Sequence, residues 1–209
     1  MSTDEVMSLL GEVGALVTGS HIVYTSGRHG SAYINKDALY VHTEATSRIC
    51  ELMAGSYDPD QVDVVAGPTI GGVVLSQWVA YHLTRKRKSG ETLAVYAEEE
   101  GPDRLRIFKR GYDAHIKGKN IVIVEDVVTT GGSVLKVVDT VRALSGNILG
   151  VSILCNRGGV TGEAMGGVPI NALTSVTLDS YAEEDCLLCK EGVPINMNVG
   201  KGKSFVKKA

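Results

Sequence analysis

Residues 121–133 read Ile-Val-Ile-Val-Glu125-Asp126-Val127-Val128-Thr129-Thr130-Gly131-Gly132-Ser133, and three different physical demands meet in them. An unbroken apolar run that ends in a turn suits a strand buried on both faces, as in a parallel sheet. Two adjacent carboxylates leave that strand, followed by a turn made only of small hydroxyl residues and glycine. Val134, Val137, Val138 and Val141 then recur at helical spacing from Ser133 to Leu144, ended by Gly146. Strand, turn and helix in this order predict one unit of an α/β fold.

Working outward, the same order repeats. Strands are predicted at Val62–Ala66, Thr92–Ala97, Ile148–Leu154 and about Ile170–Val176, and a helix apolar nearly all round from Gly71 to about Leu83. Thr43 and Glu44 open another helix, with Ala45, Ile49, Leu52 and Met53 inward and Gly55 as its stop. At the N-terminus, Ser2 and Glu5 have capping-box spacing ahead of Val6, Leu9, Leu10, Val13 and Val17 on one helical face. Gly19 to Asn35 is predicted as a loop, and Glu98 to Lys119 is too long and polar for an ordinary connection. The tail from Gly192 is predicted to be irregular. Continuous apolar strands separated by helices mean a parallel sheet with helices on both faces.

Composition narrows the function. The chain has 209 residues, 44% of them hydrophobic and 22% charged, enough for one domain with a proper core. A net charge of −3 argues against a nucleic-acid coat or a membrane-surface binder. No apolar run approaches the roughly 20 residues of a membrane span, and the acidic start Met1-Ser2-Thr3-Asp4-Glu5 is not a signal peptide. Cysteines 50, 155, 186 and 189 do not make a disulfide framework, so a reducing, cytoplasmic setting is expected.

In open parallel sheets ligands bind at the carboxyl ends of strands. After Val128 the turn can aim backbone N–H groups and the Thr129, Thr130 and Ser133 hydroxyls at a phosphate, assisted by the helix dipole. Glu125 and Asp126 would repel phosphate but suit sugar hydroxyls or hydrated Mg²⁺, which together describe a ribose 5-phosphate pocket. A second strand end, Val64-Val65-Ala66-Gly67-Pro68-Thr69-Ile70-Gly71-Gly72, makes a similar anion cradle.

The 121–133 segment resembles the phosphoribosyl-diphosphate (PRPP) signature of type I phosphoribosyltransferases. The resemblance implies that family's parallel sheet with helices on both faces and a small hood from the N-terminal segment. On this chain that gives one domain over 1–209: helix and hood to about 42, core about 43–180, tail about 181–209. It implies that Glu125 and Asp126 hold the ribose 2′- and 3′-hydroxyls. Thr129, Thr130, Gly131, Gly132 and Ser133 would surround the 5′-phosphate, Val127 and Val128 would also belong to the PRPP site, and Pro68, Thr69, Ile70 and Gly71 would bind the pyrophosphate. Thr25-Ser26-Gly27-Arg28-His29-Gly30-Ser31-Ala32-Tyr33 is similar to the hood of the orotate enzymes, which makes Ser26, Gly27, Arg28 and Tyr33 candidates for the base. Asn156-Arg157 stands where those enzymes have Asp-Arg. Arg157 is the candidate for the base's carboxylate, which a guanidinium matches bidentately.

The lid departs from the family. Orotate enzymes carry Arg-Lys-x-x-Lys-x-His-Gly there; this chain has Glu98-Glu99-Glu100, then Arg104, Arg106, Lys109, Arg110 and His115. Lys109 and Arg110 are the candidates for the missing catalytic lysine, with a charged, solvated hairpin as the alternative. The resemblance further implies Mg²⁺ as cofactor, no direct protein ligand for it, PRPP and a nucleobase as substrates, and a homodimer. The leading expectation is transfer to orotate. Another base, or a PRPP-sensing regulator without turnover, are the alternatives.

Other signals are set aside. Cys186-Leu-Leu-Cys189 has metal or redox spacing but no second pair and no neighbouring histidine, so four ligands would have to come from distant residues or another subunit. Gly200-Lys-Gly202-Lys203-Ser204 looks like the end of a Walker A loop, but position 197 is Met and only five residues follow Ser204. Arg85-Lys86-Arg87-Lys88 suits a helix end. His21, His29, His42, His82 and His115 include no i, i+4 pair.

Overall fold

The computed structural model describes residues 3–176 and 179–206, which fall into two compact units. The first joins residues 1–41 to 177–209 and the second is 42–176. Ser2, the expected cap of the first helix, lies outside the described residues.

In the second unit a six-stranded sheet has the order β5-β4-β3-β6-β7-β8. Its strands are β3 (Val64–Pro68), β4 (Leu93–Glu100), β5 (Leu105–Ile107), β6 (Asn120–Val128), β7 (Asn147–Asn156) and β8 (Ile170–Ser175). All neighbours run parallel except β4 and β5, which form an antiparallel hairpin. The helices are α3 (Thr43–Ala54), α4 (Gly71–Lys86) and α5 (Gly132–Ala143).

The apolar runs fold as they do because both faces of the central strands are covered. Val64, Ala66, Ile121, Ile123, Val151 and Ile153 pack with Val134, Val137, Val138 and Val141 of α5. The alternate residues Val65, Val122 and Val124 are equally buried, and α4 runs along β3, β4 and β6, with α3 against α4. Sequence periodicity therefore located these elements to within a few residues.

The first unit holds α1 (Thr3–Glu12), the antiparallel pair β1 (Leu16–Val23) and β2 (His29–Ile34), α2 (Lys36–Tyr40), α6 (Leu187–Lys190) and α7 (Gly202–Val206). Here two expectations fail. Val17 is not on the first helix: the chain leaves α1 at Glu12, takes a positive φ of 67° at Gly14 and enters β1 at Leu16. The loop expected from Gly19 to Asn35 is mostly a hairpin, whose register shifts between Thr18 and Ile22. That irregularity, between Thr18 and Ile22, breaks the alternation that would have disclosed a strand.

The tail is tied to the hairpin. Tyr181 bridges His29 and Ile195 bridges His21, while the Asn196 N–H donates to the His21 carbonyl over 2.8 Å. Among the described residues no helix is long and apolar enough to cross a membrane.

Ile123 is fully buried at the centre of the larger sheet. Its replacement by Ala is expected to cost about 2–5 kcal/mol through lost transfer energy and the cavity left behind. Urea denaturation followed by circular dichroism measures this.

Candidate active site at the ends of β3 and β6

β6 loses its apolar character at its carboxyl end. Glu125 is 9% exposed and Asp126 3%, so both carboxylates are held against the protein rather than waving in solvent. Each accepts a backbone N–H from the next residue: Asp126 N to Glu125 Oε1 at 3.1 Å, and Val127 N to Asp126 Oδ1 at 2.6 Å. Glu125 shares strand parity with Ile123 and lines a cavity of about 200 Å³ with Val127, Val128 and residues 129–134. Asp126 is not among the residues that line it.

The cavity wall is a helix entry. Gly131, with a φ of 79°, immediately precedes α5, a left-handed conformation that a side chain would strain. A Cβ at Gly131 would also lie 2.3 Å from Met165 Cε. Four backbone N–H groups at a helix start lack intrahelical partners, and those of α5 open beside the Thr129, Thr130 and Ser133 side chains that the cavity exposes.

Support comes from the next strand. The N–H groups of Arg157 and Gly158 donate to the Val128 carbonyl at 2.8 and 3.1 Å. Asn156, 8% exposed, closes the 156–160 turn with both halves of its amide: Nδ2 donates to the Val160 carbonyl at 2.8 Å, and Val160 N donates to Oδ1 at 3.0 Å. Aspartate would keep the second bond but face a carbonyl with a carboxylate instead of the first. The departure at Asn156 thus has a local structural reason.

At the end of β3, Gly67 and Gly72 pack backbone to backbone. A Cβ on Gly67 would stand 2.6 Å from Gly72 Cα, so only glycines let the 68–71 loop close over α4 this tightly. Thr69 N donates to the Ala97 carbonyl at 3.0 Å, the Thr69–Ile70 peptide is cis, and Ile70 is 78% exposed at the loop tip.

A chain with these features matches the phosphoribosyl transferase domain family over residues 35–166. This chain belongs to that family. Proteins named orotate phosphoribosyltransferase are among its relatives: one from Thermoanaerobacter sp. (strain X514) is 35% identical over 93% of this chain and 96% of its own length. Another, from Carboxydothermus hydrogenoformans, is 37% identical over 91% and 94%. The orotate phosphoribosyltransferase structure from Aeropyrum pernix superposes with a TM-score of 0.65 at 24% identity, covering 82% of this chain and 93% of that one.

Against the family's expected sites, the structure gathers Glu125, the 127–133 turn and the Arg157 backbone at one end of the sheet. Ser26, Gly27, Arg28 and Tyr33 belong to the other unit. There Arg28 is engaged with Ser180, donating from Nε to its Oγ at 3.0 Å and from Nη2 to its carbonyl.

The Glu98–Lys119 stretch is not a free lid. β4 continues through its three glutamates and turns back as β5, pairing Glu99 with Arg106 and Glu98 with Ile107. Arg110 bonds Glu98 at 2.9 Å, Arg104 bonds Glu99 at 2.9 Å, and Lys109 pairs with Glu100. These contacts hold Glu99 below the usual carboxylate range, chiefly through Arg104, and raise Lys109 and Arg110 through Glu100 and Glu98. The hairpin is also docked on α5, whose Lys136 Nζ donates to the Arg104 carbonyl at 3.1 Å and whose Thr140 hydroxyl donates to the Arg106 carbonyl.

Sequence reasoning missed Arg106. It is 9% exposed, and its Nη1 donates to Thr69 Oγ1 at 3.1 Å, while Nη2 lies 3.4 Å from Glu99 Oε2. It therefore meets the 68–71 loop directly. The signal was available: alternation of Arg104 and Arg106 against Glu98–Glu100 across Gly101-Pro102 is a hairpin pattern.

Gly158 sits under the 129–133 turn, where a Cβ would fall 1.6 Å from the Thr129 carbonyl oxygen. Gly158→Ala must push Thr129 outward, and is expected to cost about 1–3 kcal/mol of stability through overpacking. Ligand binding at the turn should weaken with it, which thermal melts with and without PRPP would read.

Proposed function

We propose that this chain is an orotate phosphoribosyltransferase, moving ribose 5-phosphate from PRPP to orotate with release of pyrophosphate and formation of orotidine 5′-phosphate. The observation that carries the reading is the junction after β6, where a buried carboxylate pair meets a phosphate-sized, N–H-rich turn. Relatives of that name, 35–37% identical over more than nine-tenths of the chain, support the acceptor. The fold is shared with a Mycobacterium tuberculosis orotate phosphoribosyltransferase crystallised with PRPP, at a TM-score of 0.62 and 22% identity.

The chemical task is to break the ribose C1–O bond as positive charge grows on the ring. Glu125 and Asp126 accept hydrogen bonds from the ribose hydroxyls, fix the ring and lend it negative potential. The turn from Thr129 to Ser133 anchors the 5′-phosphate with N–H groups and hydroxyls. The 68–71 loop receives the departing pyrophosphate, with Arg106 behind it as a nearly buried cation touching Thr69. The acceptor nitrogen of the base closes the new bond at C1, and no covalent enzyme intermediate is needed.

The oxygen-rich lining also fits Mg²⁺: the Glu125 carboxylate and the hydroxyls of Thr129, Thr130 and Ser133 are hard oxygen groups, suited to accept hydrogen bonds from a cation's water shell without ligating it directly. Bound with PRPP, Mg²⁺ would neutralise part of the pyrophosphate charge. The reading extends to a homodimer on the strength of the family resemblance.

Asp126→Asn keeps the side chain's size and removes its charge. With a charge-assisted hydrogen bond worth about 1.5–3 kcal/mol, PRPP affinity should fall about ten-fold or more. Calorimetric titration measures this; unchanged affinity would refute the ribose assignment. Pyrophosphate release from PRPP with orotate and a panel of other bases tests the acceptor directly.

Arg106→Ala is expected to lower kcat more than it raises the KM for PRPP, by about a hundred-fold if its cation faces the developing pyrophosphate charge. The double replacement of Lys109 and Arg110, whose charges are exposed and already paired, should change kcat much less. Steady-state kinetics of the two variants compares them, and the reverse ranking would return the catalytic role to Lys109 and Arg110.

A further inference from the structure

The two cysteines set aside in the sequence are not alone in the folded chain. Cys186 and Cys189 flank the start of α6, and the hairpin brings His21 from β1 and His29 from β2 to the same point. One ligating atom from each of the four lies within 4.8 Å of every other, and among the described residues no other such cluster of His, Cys, Asp or Glu occurs. We propose that His21, His29, Cys186 and Cys189 bind one Zn²⁺ as a tetrahedral structural centre.

The separations fit that ion. With bonds of about 2.3 Å to sulfur and 2.0–2.1 Å to nitrogen, a tetrahedron has edges of about 3.3 Å between nitrogens and about 3.6 Å from nitrogen to sulfur. Here His21 Nε2 lies 3.7 Å from Cys186 Sγ and 3.6 Å from Cys189 Sγ, His29 Nδ1 lies 3.3 Å from Cys189 Sγ, and the two nitrogens are 2.9 Å apart. Such mutual approach of four donors places them around one centre rather than in separate donor–acceptor pairs.

The surroundings orient the ligands. His21 Nδ1 is 2.7 Å from the Val193 carbonyl, so it carries the proton and leaves the Nε2 lone pair directed at the cluster, the backing a metal-bound histidine normally has. The ring of His29 meets Phe205 edge-on at 5.0 Å, and its Nε2 is buried without a hydrogen-bond partner. Read as hydrogen bonds alone, the cluster buries two imidazoles and a thiol at 0–2% exposure around a shared point with poor satisfaction of their polar atoms. Zn²⁺ replaces the two thiol protons, which leave to solvent, and two thiolates with two neutral imidazoles then balance the dication. Sulfur and imidazole in tetrahedral array select zinc over the hard cations.

The ligands come from opposite ends of the sequence, so the centre staples the hairpin to the tail. The backbone already follows the same path: Tyr181 pairs with His29, and Lys201 N donates to the Val23 carbonyl at 2.8 Å. Nothing in this centre depends on the phosphoribosyl chemistry.

The test is metal analysis of the purified full-length chain. Elemental mass spectrometry should find about one zinc per chain after dialysis, and zinc-edge X-ray absorption about two sulfurs at 2.3 Å and two nitrogens at 2.0–2.1 Å. Cys186→Ser with Cys189→Ser should abolish retention, whereas Cys50→Ser, at a buried thiol elsewhere, should leave it intact. The absorption spectrum of the unaltered protein decides the matter even where the double variant fails to fold. Protein purified from zinc-supplemented medium that holds no stoichiometric zinc, that has Cys186 and Cys189 joined in a disulfide, or whose zinc has no sulfur ligands would overturn the proposal.

Discussion

Backbone packed on backbone, with no room for a Cβ, sets the two loops that follow β3 and β6. Gly67 lies against Gly72, and Gly158 lies under the Thr129 carbonyl. Backbone contacts of this kind are stiff, because neither side has a rotamer to yield. They fix where the N–H groups of each turn point, and preorganised dipoles are what a site handling phosphate charge requires. The sheet beneath serves the same end. β6 is buried on both faces up to Val124, so its carboxyl end cannot shift without disturbing both layers. Burial and glycine packing together deliver Glu125 to the rim of the cavity already oriented, with Asp126 buried next to it in the chain.

Elements whose burial is two-sided or strictly periodic were legible in the sequence. The strands around 64, 121 and 151 announced themselves as apolar runs, and α3 and α5 as amphipathic helices with recognisable ends. Where two weak patterns overlapped, the sequence misled. A register shift between Thr18 and Ile22 concealed β1, and three consecutive glutamates concealed that β4 runs on to Glu100, since their cross-strand partners arrive only after the turn. Arg106 was hidden for the same reason: its meaning depends on a register, not on a motif. The four-residue metal cluster was half visible as a Cys-x-x-Cys, but its histidines come from a hairpin more than 150 residues away in sequence.

The cations of the charged hairpin fall into two environments. Lys109 and Arg110 reach solvent and spend their charge on Glu100 and Glu98, in pairs that water and salt screen. Arg106 stands apart: at 9% exposure its field is weakly screened, and its contact with Thr69 couples it to the loop itself. A cation held in that way costs little reorganisation when charge develops nearby, whereas a solvated lysine must first be released from its partner and positioned. The three glutamates bind the exposed cations Arg104, Lys109 and Arg110, and Glu99 also pairs with Arg106, which keeps its contact with the 68–71 loop through Thr69.

The two units rely on different sources of stability. The larger has a sheet with apolar side chains packed in its core, and the fraction of surface a domain buries rises with its size. The smaller buries only a short set of apolar side chains, among them Val6, Leu10, Ile22, Val23, Ile34 and Leu39, and it is made from two stretches at opposite ends of the chain. Bringing such distant segments together carries the loop-closure entropy of everything between them. A two-stranded hairpin is marginal by itself in water. Small cores of this kind are usually completed by a cross-link or a metal. The buried histidines and cysteines at the meeting of β1, β2 and α6 stand where such a staple would act most effectively, between the two ends that have to be held.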